Sequence, residues 1–166
     1  MISISYYDSP VGRLLIKTAD GALNGVWFVG QKHFPEIFAD AEPTNCDCDI
    51  IQCTRQWLDD YFAGLHPEIS RIKLAPEGSD FRRMVWDILC TIPYGTTMSY
   101  GQIASLIEKD TGKKMSAQAV GGAVGHNPIS IIIPCHRVLG SDKSLTGYAG
   151  GLEKKLFLLS HEGILT

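Results

Sequence analysis

The sequence predicts an α+β chain: a small N-terminal antiparallel β-sheet with a helix, followed by a mainly helical C-terminal domain containing a helix-turn-helix. Three patterns carry that expectation. Apolar residues alternate through the first thirty positions, a helical stripe runs from Asp49 to Phe62, and from Ser79 onward capped helical stripes succeed one another at short intervals. The change of character divides the 166 residues into a β-plus-helix unit, 1–78, and a helical unit, 79–166. With 45% hydrophobic residues the chain has ample material for a core.

Ile2, Ile4 and Tyr6 share one face of an extended segment that turns at Asp8-Ser9-Pro10-Val11-Gly12. Leu14 to Lys17 makes a second strand, Asp20-Gly21 a tight hairpin turn, and Leu23 to Val29 a third strand, giving a meander. The stripe at 50, 51, 54, 57, 58, 61 and 62 has helical spacing and stops at Gly64. Leu65 to Gly78, with Pro67 and Pro76, reads as a linker. This first unit holds no catalytic constellation, which leaves it a scaffolding role.

Ser79 or Asp80 caps the next helix, with Phe81, Met84, Val85, Ile88 and Leu89 on one side and Pro93-Tyr94-Gly95 as its stop. Ser99 caps a second helix from Tyr100 to Ile107. A loop from Lys109 to Lys114 leads to a third, from about Ser116 to Gly125. Two short helices across such a loop fit a helix-turn-helix, and equally a packing pair inside an enzyme. The third helix is odd in composition, since residues 117–125 hold three glycines and three alanines. Each glycine costs about 1 kcal/mol of helix propensity relative to alanine. Small side chains let something approach the backbone, either a neighbouring helix or a nucleic-acid groove, and Gln118 sits in the first turn, where a DNA-reading helix presents its contacts. A last helix, Glu153 to Leu159, ends in Ser160-His161-Glu162-Gly163.

A net charge of −3 gives no bulk attraction to nucleic acid, but the charge is uneven. Residues 1–78 carry six Lys/Arg against eleven Asp/Glu, and residues 79–166 carry nine against seven, so only the second half can approach a polyanion without strong repulsion. No stretch is apolar enough to span a membrane and the N-terminus lacks the marks of a signal peptide, so a cytoplasmic protein is expected. Cysteines at 46, 48, 53, 90 and 135 are irregularly spaced and need no bridges in a reducing compartment. Cys46-Asp47-Cys48 with Cys53 resembles part of a zinc site but finds no second Cys or His pair, so neither metal nor cofactor is expected.

The segment Ile131-Ile132-Ile133-Pro134-Cys135-His136-Arg137-Val138 sets a thiol beside an imidazole at the end of an apolar run that reads as a buried strand. A free cysteine in such a place is commonly an inert core residue. His136 changes that, because an imidazole can take the thiol proton directly or through one water, and the thiolate is the reactive form. Asn127-Pro128 precedes the run, and an Asn amide at a turn ties down neighbouring backbone. Thr146-Gly147-Tyr148-Ala149-Gly150-Gly151 either walls a pocket with backbone N–H groups or forms a surface turn. Glu162 is either a solvated helix-end charge or the carboxylate of a Cys-His-Glu arrangement that stabilises imidazolium.

Ser99-Tyr100, Asn127-Pro128, Pro134-Cys135-His136-Arg137-Val138, Tyr148-Ala149-Gly150-Gly151 and His161-Glu162-Gly163 occur in that order. Together they resemble the O6-alkylguanine-DNA alkyltransferases, also called methylated-DNA–protein-cysteine methyltransferases, densely over residues 79–166 and only in general character before that. The resemblance implies direct DNA repair: one methyl or small alkyl group passes from the O6 of guanine to Cys135, with His136 as base through a water and Glu162 behind it. Tyr100, Asn127, Val138 and Ala149 would hold the base or brace its loop. Gln118, Ala119, Gly121, Gly122 and Arg137 would meet double-stranded DNA at the minor groove, with the damaged nucleotide flipped out. The protein would act as a monomer, once per molecule. Two departures stand out: the family usually has arginine where this chain has Gln118, and the loop between the two helices looks several residues longer than the family's. The alternative is a non-catalytic protein that binds alkyl lesions and marks them, against which the Cys135, His136 and Glu162 set argues. A Cys-His acyl hydrolase would leave the small-residue helix without a purpose.

Overall fold

The computed structural model describes residues 1–44 and 48–165. It is α+β, and it separates into two compact units, one made of Met1–Glu77 with Pro128–Ile132, the other of Gly78–Asn127 and the chain from Ile133 onward.

In the first unit, β1 (Ile2–Ser9), β2 (Gly12–Ala19) and β3 (Ala22–Phe28) form an antiparallel meander in the order β1-β2-β3. Asp20 and Gly21 both take positive φ, 53° and 75°, which is the two-residue turn whose twist matches the strands it joins. β3 is buried along its whole length. Gly25 is required there, since a Cβ would lie 2.0 Å from the ring of Trp27. Trp27 in turn packs with Ile4 and Leu15, and Phe34 and Phe38 close over it. Helix α1 (Asp49–Phe62) buries Ile51, Thr54, Trp57, Leu58 and Tyr61, the expected stripe.

Two expectations change here. Leu65 to Gly78 is no loose linker: Leu23 N–H donates to the Lys73 carbonyl at 2.9 Å and Ala75 N–H to the Leu23 carbonyl at 2.8 Å, so the segment adds a rung beside β3. Ile131 to Ile133 is no strand either. The pairing is confined to a single bridge, with Val26 N–H to the Pro128 carbonyl and Ser130 N–H to the Val26 carbonyl, both 2.8 Å. The chain then turns back at Ile131, whose φ of 72° and Ile132 N–H to Ser130 carbonyl bond of 2.8 Å define a γ-turn of the rare positive-φ kind. A β-branched residue there is strained by roughly 1–3 kcal/mol. The isoleucines are apolar because each is at most 1% exposed within a turn, and a short unbroken apolar run does not distinguish that from a strand.

In the second unit, α2 (Asp80–Leu89) starts at Ser79, whose hydroxyl accepts from the Arg82 N–H. The two-residue strand β4 (Met98–Ser99) leads directly into α3 (Tyr100–Thr111), where Ser99 and Gln102 form a reciprocal capping box. α3 runs further than Ile107, so Lys109 lies in its last turn rather than in a loop, and Gly112 ends it at φ 73°. Ser116 caps α4 (Ala117–Gly125), which completes the helix-turn-helix pair. The buried Trp86 indole N–H donates to the Ala123 carbonyl at 2.9 Å and fixes α4 against α2. β5 (Val138–Leu139) pairs in parallel with β4, Met98 opposite Val138 and Ser99 opposite Leu139. α5 (Leu152–His161) follows.

Candidate active site

The β4–β5 bridge decides which side chains meet. Tyr100 follows β4 at once and Cys135–Arg137 immediately precedes β5, so a two-residue pairing sets the phenol and the thiol in one neighbourhood. Cys135 opens a 3₁₀ turn. Pro134, with φ −81° and ψ 64°, makes an inverse γ-turn closed by Cys135 N–H to the Ile133 carbonyl at 2.8 Å. Asn127, just past the end of α4 and 4% exposed, donates its amide to the same Ile133 carbonyl at 2.9 Å. The bracing role read from Asn127-Pro128 thus has a definite target.

Cys135 is 7% exposed, and burial pushes its thiol above the ordinary value, while hydrogen bonds from Asn127 and Tyr148 and the positive charge of Lys155 pull the other way. The resting group is the neutral thiol, so the few per cent of thiolate expected for an unperturbed cysteine overstates what is present at neutral pH. A nucleophilic role for such a thiol calls for a base beside it.

His136 is fully buried, and its Nε2 lies 2.5 Å from Glu162 Oε2. Burial lowers the imidazole's affinity for a proton and Glu162 opposes that, the net direction being down. With Nε2–H given to Glu162, Nδ1 is the nitrogen that can accept. Burial alone would raise Glu162, but His136 and Arg137 outweigh it and hold the carboxyl down at about 2. Glu162 also accepts the Gly95 N–H at 3.0 Å through Oε1. It is an oriented anion rather than a solvated helix-end charge.

Arg137 corrects the sequence reading. Its side chain turns inward, with Nε donating to Glu162 Oε1 at 2.8 Å, a second nitrogen to Oε2 at 3.3 Å and a third to the Ile92 carbonyl at 2.6 Å. At 6% exposure it has no face to offer DNA, and the buried carboxylate explains why a cation is held there. Gln118, Ala119 and Gly122 do lie on the exposed side of α4, whereas Gly121 is half-covered by the Tyr100 ring, 3.8 Å from where a Cβ would stand. Ala149 follows Tyr148 in a turn closed by Gly151 N–H to the Tyr148 carbonyl at 2.9 Å.

Two contributors escaped the sequence reading. Lys155 is 0% exposed, and its ammonium donates to the Val138 carbonyl at 2.7 Å and approaches those of Thr146 and Gly147 at 3.4 and 3.5 Å. Burial lowers it to about 8, with Cys135 acting in the opposite direction. The available signal was its position one turn before Leu158 and Leu159 on the apolar side of α5. Thr146 opens the run expected either to wall a pocket with backbone N–H groups or to form a surface turn, and it is its side chain that contributes, the hydroxyl donating to the Tyr100 hydroxyl at 2.7 Å. Among the described residues no group of three or more His, Cys, Asp or Glu could hold a metal ion, and Cys46 and Asp47 of the Cys46-Asp47-Cys48 segment lie outside them. No helix of the described residues is long and apolar enough to cross a membrane.

Comparison with known proteins bears on this arrangement. Residues 80–164 match the family model described as 6-O-methylguanine DNA methyltransferase, DNA binding domain, and residues 2–76 match its ribonuclease-like domain. The methylated-DNA–protein-cysteine methyltransferase of Haemophilus influenzae is 42% identical over 160 residues, 96% of this chain and 86% of that protein. That of Methanosarcina barkeri is 45% identical over 160 residues, 95% and 96% of the two. The crystal structure of Mycobacterium tuberculosis O6-methylguanine methyltransferase superposes with a TM-score of 0.82 at 40% identity, covering 98% of this chain and 93% of that one. The structure of Mycobacterium tuberculosis OGT in complex with DNA gives 0.83 at 40%, covering 96% and 92%.

Proposed function

This chain belongs to the 6-O-methylguanine DNA methyltransferase family, and on that premise we propose that Cys135 is the acceptor of the alkyl group. The chain is a DNA-repair enzyme, a methylated-DNA–protein-cysteine methyltransferase. The observation that carries the assignment of Cys135 is its company: a buried thiol kept neutral at rest, next to a His whose far nitrogen is committed to an ionised Glu.

The O6 atom of guanine lies inside the base pair, so the nucleotide must leave the stack to reach a buried sulfur. The sulfur pair then forms the S–C bond while the C–O bond breaks with its electrons left on guanine, and the thiol proton passes to His136 Nδ1 through a water. Glu162 stabilises the imidazolium. Tyr100 offers its hydroxyl proton to a ring nitrogen as charge develops on the leaving base. The Val138 carbonyl has two lone pairs, so it can accept the exocyclic amine while still holding Lys155. Ala149 N–H faces O6, and Asn127 keeps the reactive segment in place. The thioether product has no hydrolytic route back, so each molecule acts once.

The DNA surface we assign is the exposed side of α4 with Gln118, Ala119 and Gly122, laid in the minor groove. A Cβ at Gly122 would meet nothing within 4 Å inside the protein, so internal packing does not account for the helix propensity given up there. Residues 79–166 are the alkyltransferase unit on this reading and 1–78 a scaffold, and the protein works as a monomer in the cytoplasm.

Intact-protein mass spectrometry after incubation with a duplex containing O6-methylguanine tests the assignment. One added methyl per molecule, mapped to Cys135 and absent in Cys135→Ala, is the expected result. Tight binding with no adduct would replace it by the lesion-marking alternative, and repeated turnover would exclude the single-use mechanism.

A further inference from the structure

Tyr100 can help the leaving guanine only if its single hydroxyl proton points at the base. Its ring is placed by its position as the first residue of α3 and by contact over Gly121. Neither fixes rotation about the C–O bond, and a phenol in a half-buried site has more than one acceptor direction open to it. The Thr146 hydroxyl, 2.7 Å from the Tyr100 oxygen and donating to it, removes that freedom. Resting on the alkyltransferase reading above, we propose that Thr146 is a positioning residue for the departing guanine: by occupying one lone pair of the Tyr100 oxygen, it turns the phenolic proton toward the base.

Three further observations fit this role. Thr146 is the half-buried member of an otherwise exposed stretch from Ser141 to Gly147. Its carbonyl lies 3.4 Å from the Lys155 ammonium, which is fully buried and tied at 2.7 Å to the Val138 carbonyl. One buried cation therefore locates both the hydroxyl that orients Tyr100 and the carbonyl proposed to accept the guanine amine. Finally, a donor to the phenol oxygen makes the hydroxyl a better acid toward a ring nitrogen, and the Thr146 bond acts on Tyr100 in that direction, against the stronger effect of burial. In the transfer step the methyl carbon passes from O6 to sulfur and the C–O electron pair stays on the base. The Tyr100 proton is shared with the ring nitrogen, and Thr146 keeps its own proton throughout.

The test is the single-turnover rate of methyl transfer to Cys135, measured together with duplex affinity. Thr146→Val, which keeps the shape and removes the hydroxyl, should slow transfer about five- to tenfold at unchanged affinity. Thr146→Ser should restore it. In a Tyr100→Phe background Thr146→Val should change nothing further, and on a methylated base carrying carbon in place of the ring nitrogen the wild-type and Thr146→Val proteins should transfer at the same rate. A full rate in Thr146→Val, an equal slowing in the Tyr100→Phe background, or a loss confined to affinity would each overturn the proposal. If the wild-type protein itself takes up no methyl, the alkyltransferase reading fails and this one with it. Normal uptake in the wild type beside a full-rate Thr146→Val overturns this one alone.

Discussion

Arg137 Nε stands 2.8 Å from Glu162 Oε1, in a pair whose carboxylate is 0% exposed, while His136 Nε2 meets the other carboxylate oxygen at 2.5 Å. One anion thus answers two cations or potential cations, and it is held ionised by both. His136 and Arg137 form a structural unit around Glu162, in which the arginine secures the carboxylate that the histidine meets.

Removing the arginine should therefore destabilise the protein rather than weaken its grip on DNA. Arg137→Met leaves a buried carboxylate without the guanidinium that grips both its oxygens, and the expected cost is about 3–5 kcal/mol by denaturant titration. The slope of duplex affinity against salt should not change in the folded fraction. Lys114→Met, at an exposed position near the start of α4, should do the opposite: little effect on stability, and a slope shallower by about 0.9 for one lost phosphate contact. A shallower slope in Arg137→Met would return that residue to the DNA face.

Stability should fall in acid in two windows. His136 binds its proton less readily folded than unfolded, so stability is full above pH 6.5 and declines as pH drops through the range below it. Glu162 is held at about 2 against 4.5 when unfolded, so its contribution is full above pH 4.5 and is lost between there and about pH 2. That lower window is worth on the order of 3 kcal/mol. Unfolding free energies measured at several pH values should show both declines, and Glu162→Gln should lack the lower one. An unchanged acid profile in that variant would mean the carboxylate is not ionised in the fold.

Much of this was legible from local chemistry. The Asp20-Gly21 turn, the α1 stripe and the Ser99 cap depend on neighbours within a few residues and formed where expected, and of the two caps offered for α2 the helix uses Ser79. What misled was apolarity without period: the isoleucines before Cys135 are buried in a turn, and nothing in their composition announces a positive φ at Ile131. The linker reading failed because Lys73 and Ala75 pair with β3 some fifty residues away. Arg137, Lys155 and Thr146 were misjudged or missed for a shared reason. Charge and polarity default to the surface unless a buried partner claims them, and the partners here, Glu162, the Val138 carbonyl and Tyr100, are distant in sequence.

Gly122 offers a trade between stability and binding. It is exposed, lies inside α4 and has open space around the missing Cβ, so Gly122→Ala should stabilise the protein by about 0.5–1 kcal/mol. The same methyl stands on the face proposed to enter the groove, and duplex affinity should fall. Thermal unfolding and duplex titration of one variant read both effects. A stabilised protein with undiminished affinity would show that DNA lies elsewhere.

On the proposed DNA face, Gln118 is the residue expected to set how well the damaged base is turned out. It is exposed in the first turn of α4, two residues after the Ser116 cap. Glutamine is planar and can hydrogen-bond an orphaned partner base, but it is shorter than arginine and uncharged. Gln118→Arg brings a cation to a helix N-terminus, where the dipole opposes it by about 0.3–1 kcal/mol, so thermal stability should drop slightly. Against DNA the same charge gains a contact with phosphate or base worth about 1–3 kcal/mol, which outweighs that cost once the duplex is bound. The expected result is a protein less stable alone, tighter on duplex by about fivefold or more, with a steeper salt slope and faster methyl uptake. Single-strand substrate separates the two contributions, because a base with no partner needs no filling of the stack and the rate advantage should vanish there. If Gln118→Arg is no faster than the wild type on methylated duplex, the glutamine already does what the flipping step requires.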